Sequence, residues 1–122
     1  TRAFVLSRQN PYYFEGSAAK GVGSQHTPEN FVWPIALCVQ GLTAAEPKER
    51  AELLHTLLTT HADTARMHES FNKDDPSAFT RSWFAWANSM FGELVMQMYE
   101  QGELEEAVQH LLDKGIKVIK CV

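Results

Sequence analysis

Apolar and polar positions fall into four stretches of helical period, separated by stretches with none. In the first, Phe31, Ile35, Val39 and Leu42 recur at helical spacing. Threonine is a good N-cap and proline suits the first helical position, so this helix is predicted to begin at Thr27-Pro28. It should tolerate Pro34 near its start and end at Gly41. The second is predicted over Ala45 to Asp63, with Pro47 in its first turn. Leu53, Leu54, Leu57 and Leu58 form its apolar stripe, and Lys48, Glu49, Arg50 and Glu52 its wet face. The third is predicted over Ser77 to Gln101. Phe79, Trp83, Trp86, Met90, Leu94 and Met98 lie along one face, and Phe84, Phe91 and Val95 widen it, so cover on more than one side is expected. The fourth runs from Leu104 to Lys114 and stops at Gly115. Ile116-Lys117-Val118-Ile119 follows as a short apolar tail, strand or extended chain.

Two stretches lack the period. Residues 1–28 are punctuated by Asn10-Pro11, Gly16, Gly21 and Gly23, yet hold Phe4, Tyr12, Tyr13 and Phe14. A long loop rich in aromatics either packs on something or lines a site. Residues 64–78 are the second break. The expected fold class is all-α, a toroid or bundle with the third helix inside and the second and fourth outside. Four helices carrying this much aromatic surface would not close a toroid. Part of the core is therefore expected to lie outside this chain, and Thr1 in place of an initiator Met points the same way.

Composition narrows the classes. Of 122 residues, 44% are hydrophobic and 21% charged, enough apolar material for a buried core. A net charge of −4 without a Lys/Arg run argues against a nucleic-acid partner. No apolar run is long enough to span a membrane, so no membrane partner is expected, and the compartment is not written in the sequence. Cys38 and Cys121 form no CxxC pair, and Cys38 is expected as a small core residue.

Metal and nucleophile chemistry find little support. His68-Glu69 opens like the zinc motif H-E-x-x-H, but position 72 is Asn72. His55, His61 and His110 suit surface or edge positions, and no G-x-S-x-G elbow occurs. Gly21-Val22-Gly23-Ser24 is too short for a phosphate loop. No metal or other cofactor is expected. The carboxylates are more informative. Glu15 sits in Tyr12-Tyr13-Phe14-Glu15-Gly16, and Glu69 in Met67-His68-Glu69-Ser70-Phe71. Such surroundings can desolvate a carboxylate, which suits acid/base work. Glu69 equally fits a buried carboxylate paired with Arg66 or Arg81, and Asp75 fits an N-cap for the third helix. Trp33, Trp83, Trp86, Tyr12 and Tyr13 lie beside polar residues, a mixture that suits sugars, although Trp83 and Trp86 also fit helix core.

Four segments carry a resemblance: Asn10-Pro11-Tyr12-Tyr13-Phe14-Glu15-Gly16; Gly21-Val22-Gly23-Ser24-Gln25-His26-Thr27-Pro28; Trp33-Pro34-Ile35-Ala36; and Met67-His68-Glu69-Ser70-Phe71 with Asp74-Asp75-Pro76 and the run from Phe79 to Asn88. Together they resemble glycoside hydrolase family 125, the metal-independent exo-α-1,6-mannosidases, over nearly the whole chain to about residue 95. The resemblance implies an (α/α)6 barrel of which this chain is the C-terminal portion. It implies an inverting mechanism and a mannose-containing oligosaccharide as substrate. It implies a general base at Glu69, with Glu15 as runner-up, and a general acid outside this chain. Glu15, His26, Trp33, His68, Arg81 and Trp83 would hold the sugar. The fragment alone should be inactive. The alternatives are a barrel glycosidase of different specificity, or a helical module whose aromatic loops bind a protein partner. Clustering of Glu15, His26, Glu69 and Arg81 in one concave pocket would favour the enzyme, and scattering the module.

Overall fold

A computed structural model describes residues 1–116; the apolar tail beyond Ile116 and Cys121 lie outside the described residues. A four-residue helix, α1 (Arg2–Val5), opens the chain. Two antiparallel strands follow, β1 (Tyr13–Glu15) and β2 (Lys20–Val22), with Phe14 opposite Gly21. Then come β3 (Phe31–Val32), α2 (Pro34–Leu42), α3 (Pro47–Thr59), β4 (Ser70–Asn72), β5 (Phe79–Thr80), α4 (Ala85–Glu100) and α5 (Leu104–Asp113). The strands β3, β4 and β5 make an antiparallel sheet in that order.

The chain is thus helix-rich but not purely helical, which corrects the all-α expectation. The strands β1, β2 and β4 lie where the helical period fails, whereas β3 and β5 fall inside stretches predicted to be helical. Proline fixes the start of α2 at Pro34 rather than Pro28. Trp33, forced extended by the ring that follows it, is the N-cap at ψ 119°. Phe31 and Val32, counted as helical from their spacing, pair instead with Asn72 and Phe71. The third predicted helix loses its first two turns in the same way. Phe79 and Thr80 pair with Phe71 and Ser70, Arg81 has φ 36°, and α4 begins only after extended Phe84. Asp75 caps no helix. Its carboxylate accepts from the Ser77 backbone N–H at 3.1 Å and hydroxyl at 2.6 Å, closing the β4–β5 turn. The helix α3 stops at Thr59, short of Asp63, and left-handed Ala62, Asp63 and Ala65 carry the chain away. The α5 boundaries and the terminating left-handed Gly115 are as expected.

The core lies where α2 packs on α3 and α4, and α5 closes against α3 and α4. Leu37, Cys38, Leu54, Leu57, Leu94, Met98 and Leu111 are buried there. Cys38 takes its expected place, and burial pushes its thiol pKa up to about 12. A Cβ at Gly41 would lie 2.8 Å from Leu94 Cδ1, so glycine sets the approach of α2 to α4. Arg50, assigned to a wet face by the pattern, is buried: its guanidinium grips Glu103 at 2.7 and 2.8 Å and donates to the Ala44 carbonyl. The helix α4 is one-sided among the described residues. Ala87, Leu94 and Met98 face inward, while Trp86, Met96 and Tyr99 are exposed, against the reading of Trp86 as core.

Candidate active site

The β4–β5 hairpin carries the candidate base. Its ladder extends one step beyond the strands, where the Glu69 N–H donates to the Arg81 carbonyl at 3.1 Å. That step puts the two side chains beside each other. Arg81 Nε lies 3.4 Å from Glu69 Oε2, the carboxylate being 16% exposed and the guanidinium 71%. A largely buried carboxylate thus has a cation on its solvent side. Of the two pairings open in the sequence, the structure selects Arg81 over Arg66.

His68 stands behind this pair and is 1% exposed. Its ring stacks on Phe79 at 4.0 Å between centroids. Its Nδ1 lies 2.7 Å from the Ser82 carbonyl, which can only accept, so Nδ1 carries a proton. Nε2 is buried without a partner among the described residues. Among the described residues the His68 ring is thus almost fully covered and lies in the support of the hairpin. Ser70 and Thr80 join hydroxyls across the strands at 2.6 Å.

The rest of the support comes from α4. Asn88 Oδ1 accepts the Met67 N–H at 3.1 Å, and Nδ2 donates to the Met67 carbonyl at 3.0 Å and the Phe84 carbonyl at 2.8 Å. The Phe84 N–H also reaches the Met67 carbonyl at 3.0 Å. Sequence reasoning gave Asn88 no role. The available signal was a lone amide in the apolar run Ala85-Trp86-Ala87-Asn88.

Aromatic rings border the hairpin. Trp33 and Trp86 both meet Phe84 edge-on, at 5.9 and 5.6 Å between centroids. The half-buried Trp33 is fixed further by its indole N–H, which donates to Thr27 Oγ1 at 2.8 Å. Trp83 is 64% exposed.

The other expected sugar contacts stand apart. Glu15 is exposed and paired with Arg8 at 3.2 Å. The neighbouring Tyr13 phenol is raised above its ordinary pKa, by burial first and by Glu15 second, with Arg8 opposing. His26 is exposed, its backbone N–H bonded to Ser24 Oγ at 3.1 Å. The β1–β2 turn nevertheless docks on the β4–β5 turn. Ser17 N–H donates to Asp74 Oδ1 at 2.8 Å, and Ala18 N–H to the Lys73 carbonyl at 2.8 Å. The Ser17 N–H and Lys73 together hold the Asp74 carboxyl below its usual range. Of the four residues meant to cluster, only Glu69 and Arg81 are in contact. Two surface clefts, of about 710 Å³ between α3 and α5 and about 440 Å³ between α1 and α2, contain none of the candidate residues. No group of three or more metal-ligating side chains occurs among the described residues.

A solved Streptococcus pneumoniae metal-independent alpha-mannosidase, in a non-productive substrate complex with alpha-1,6-mannobiose, matches with a TM-score of 0.77 and 48% identity, over 79% of this chain and 22% of its own. The meiotically up-regulated gene 157 protein of Schizosaccharomyces pombe is 41% identical over 116 residues, 94% of this chain and 22% of its own length. The chain thus spans about a fifth of the length of these relatives. The family model for metal-independent alpha-mannosidases matches residues 1–96, and the chain belongs to that family, glycoside hydrolase family 125.

Proposed function

We propose that this chain is the C-terminal portion of the catalytic domain of an inverting exo-α-1,6-mannosidase with an (α/α)6 barrel, and that Glu69 is its general base. The observation that carries the assignment is the Glu69–Arg81 pair: a carboxylate 16% exposed, fixed on a hairpin, with a guanidinium 3.4 Å away. Inversion requires that base to deprotonate a water on the face opposite the leaving oxygen, while a protonated carboxyl elsewhere in the polypeptide protonates that oxygen. The two carboxyls then stand roughly 6.5–9.5 Å apart, leaving room for the water. Arg81, Trp83 and Trp33 hold the mannoside, and Glu15 and His26 complete the site from the β1–β2 side. His68 acts from behind, through the hairpin. The mannobiose held by the Streptococcus pneumoniae relative supports a mannose-containing substrate.

The test is Glu69→Gln in the intact enzyme. The amide is nearly isosteric but cannot take a proton from water, so kcat should fall at least about 10²-fold while KM changes little. Proton NMR of the first product from α-1,6-mannobiose should show β-mannose. An α-anomer appearing first would mean retention and a nucleophilic carboxylate. Near-normal kcat in Glu69→Gln, with loss in Glu15→Gln, would move the base to Glu15. The separate positions of Glu15 and His26 favour one other reading, a module whose aromatic loops bind a protein partner. Mannose release dependent on Glu69 excludes it.

A further inference from the structure

The Glu69 segment is held at its N-terminal side, at Met67, by the Phe84 N–H and by one side chain, Asn88. Met67 precedes the ladder of β4, and its neighbours on that side are extended Phe84, whose N–H reaches the Met67 carbonyl, and the first turn of α4. The Asn88 amide supplies the partner that the Met67 N–H would otherwise lack and a second donor to its carbonyl. Its Oδ1 accepts the Met67 N–H at 3.1 Å and its Nδ2 donates to the Met67 carbonyl at 3.0 Å, so both backbone groups of one residue meet one planar amide. The spare Nδ2 hydrogen goes to the Phe84 carbonyl at 2.8 Å, which fixes the amide plane to its own helix. Only an amide presents an acceptor and two donors in this arrangement. Glu69 itself donates its N–H to the Arg81 carbonyl, and on its C-terminal side the chain is held by the pairing of Ser70 with Thr80 and Phe71 with Phe79.

We propose that Asn88 is the positioning residue for the Glu69 carboxylate: it registers the hairpin against α4 and so sets where the base meets its water. This rests on the reading of Glu69 as the base. A shift of about 1 Å in a reacting group can cost up to about 10²-fold in rate, so a two-sided clamp two residues from the base governs kcat more than binding.

The experiment uses the intact enzyme with α-1,6-mannobiose. In Asn88→Asp the ionised carboxylate faces the Met67 and Phe84 carbonyls and loses both donor bonds. The variant should show kcat lowered at least about 10-fold with KM within about 2-fold of wild type. When that carboxyl is protonated its hydroxyl can donate again, so its kcat relative to wild type should recover as pH falls towards the carboxyl range. Asn88→Ser, which keeps a donor but not the planar pair, gives a second reading if Asn88→Asp does not fold. Leu111→Ala in α5 is the control: it should lower Tm at least as much yet keep kcat per folded molecule. The proposal is overturned if the Asn88 variants keep wild-type kcat, or if Leu111→Ala loses kcat equally at the same Tm. With Glu69→Gln inactive, either result removes only the positioning role. An active Glu69→Gln removes the base assignment and the positioning role together.

Discussion

Arg81 combines two properties that a single substitution would confuse. Its φ of 36° lies in the left-handed region, which costs a residue with a Cβ about 1–2 kcal/mol, and its side chain meets Glu69. Two substitutions separate them. Arg81→Ala keeps the strain and removes the cation, whereas Arg81→Gly removes both. Arg81→Gly should therefore melt higher than Arg81→Ala, by about 1 kcal/mol of stability, net of the extra freedom glycine gives the unfolded chain. Both should lose about 10-fold or more in kcat, because neither leaves a charge beside Glu69. Equal melting temperatures would show that the backbone at Arg81 carries no strain. Unchanged activity in both would show that Glu69 works without its partner. At this scale the sequence was legible where the chemistry is local. Glu69 stood out by its flanking residues, and Arg81 was one of two partners open to it. The burial of His68 was not legible, because it depends on the Phe79 ring stacked on it, and nothing in Met67-His68-Glu69 reports that ring.

The helices illustrate how far periodicity reaches. Their existence was legible because an apolar stripe every three to four residues has few other uses. Their starts were displaced wherever a short strand shared the spacing. Phe31 and Phe79 fit a helical stripe and a sheet face equally well, and the pairing partners that decide, Asn72 and Phe71, are 41 and 8 residues away. Arg50 is the same lesson in charge. The pattern Lys48-Glu49-Arg50 suggests a wet face, yet Arg50 ties α3 to Glu103, the N-cap of α5, and to the Ala44 carbonyl. The two Arg50 hydrogen bonds are the main reason the Glu103 carboxyl is held below its usual range. A carboxyl with a lowered folded pKa stabilises above its unfolded value, about 4.3, and that contribution is lost as pH falls through the folded value. Glu103→Gln should therefore cost about 3 kcal/mol near neutral pH, since it leaves Arg50 buried and half-paired. The gap in melting temperature between wild type and Glu103→Gln should narrow below about pH 4. A gap independent of pH between 7 and 3 would mean that the pair does not stabilise the fold.

On the scale of the molecule, the exposed apolar surface is not spread evenly. Trp86, Met96 and Tyr99 lie on the outer side of α4, and Val5, Val39 and Ile35 border the cleft beside α1. The candidate base stands near one end of α4, and Trp83, two residues along the chain from its partner Arg81, is exposed. Relatives about five times longer than this chain have ample sequence to cover such faces and to supply an acid carboxyl. On the proposed reading, the same surfaces are interior in the complete enzyme and the 122 residues by themselves form an open site. Solvated on its outer side, that site can neither exclude bulk water nor protonate a leaving oxygen. The isolated chain should therefore release no mannose from α-1,6-mannobiose above a buffer control. Exposed aromatic faces of this kind associate, so the chain should also bind an apolar dye and sediment as oligomers at micromolar concentration. Adding the remaining part of the polypeptide in trans should reduce dye binding and, where the two assemble, restore Glu69-dependent turnover. A monomer that unfolds in one cooperative transition without binding dye would show that α4 needs no further cover. Mannose release by that monomer would place an acid among these 122 residues and end the division of the two carboxyls proposed here.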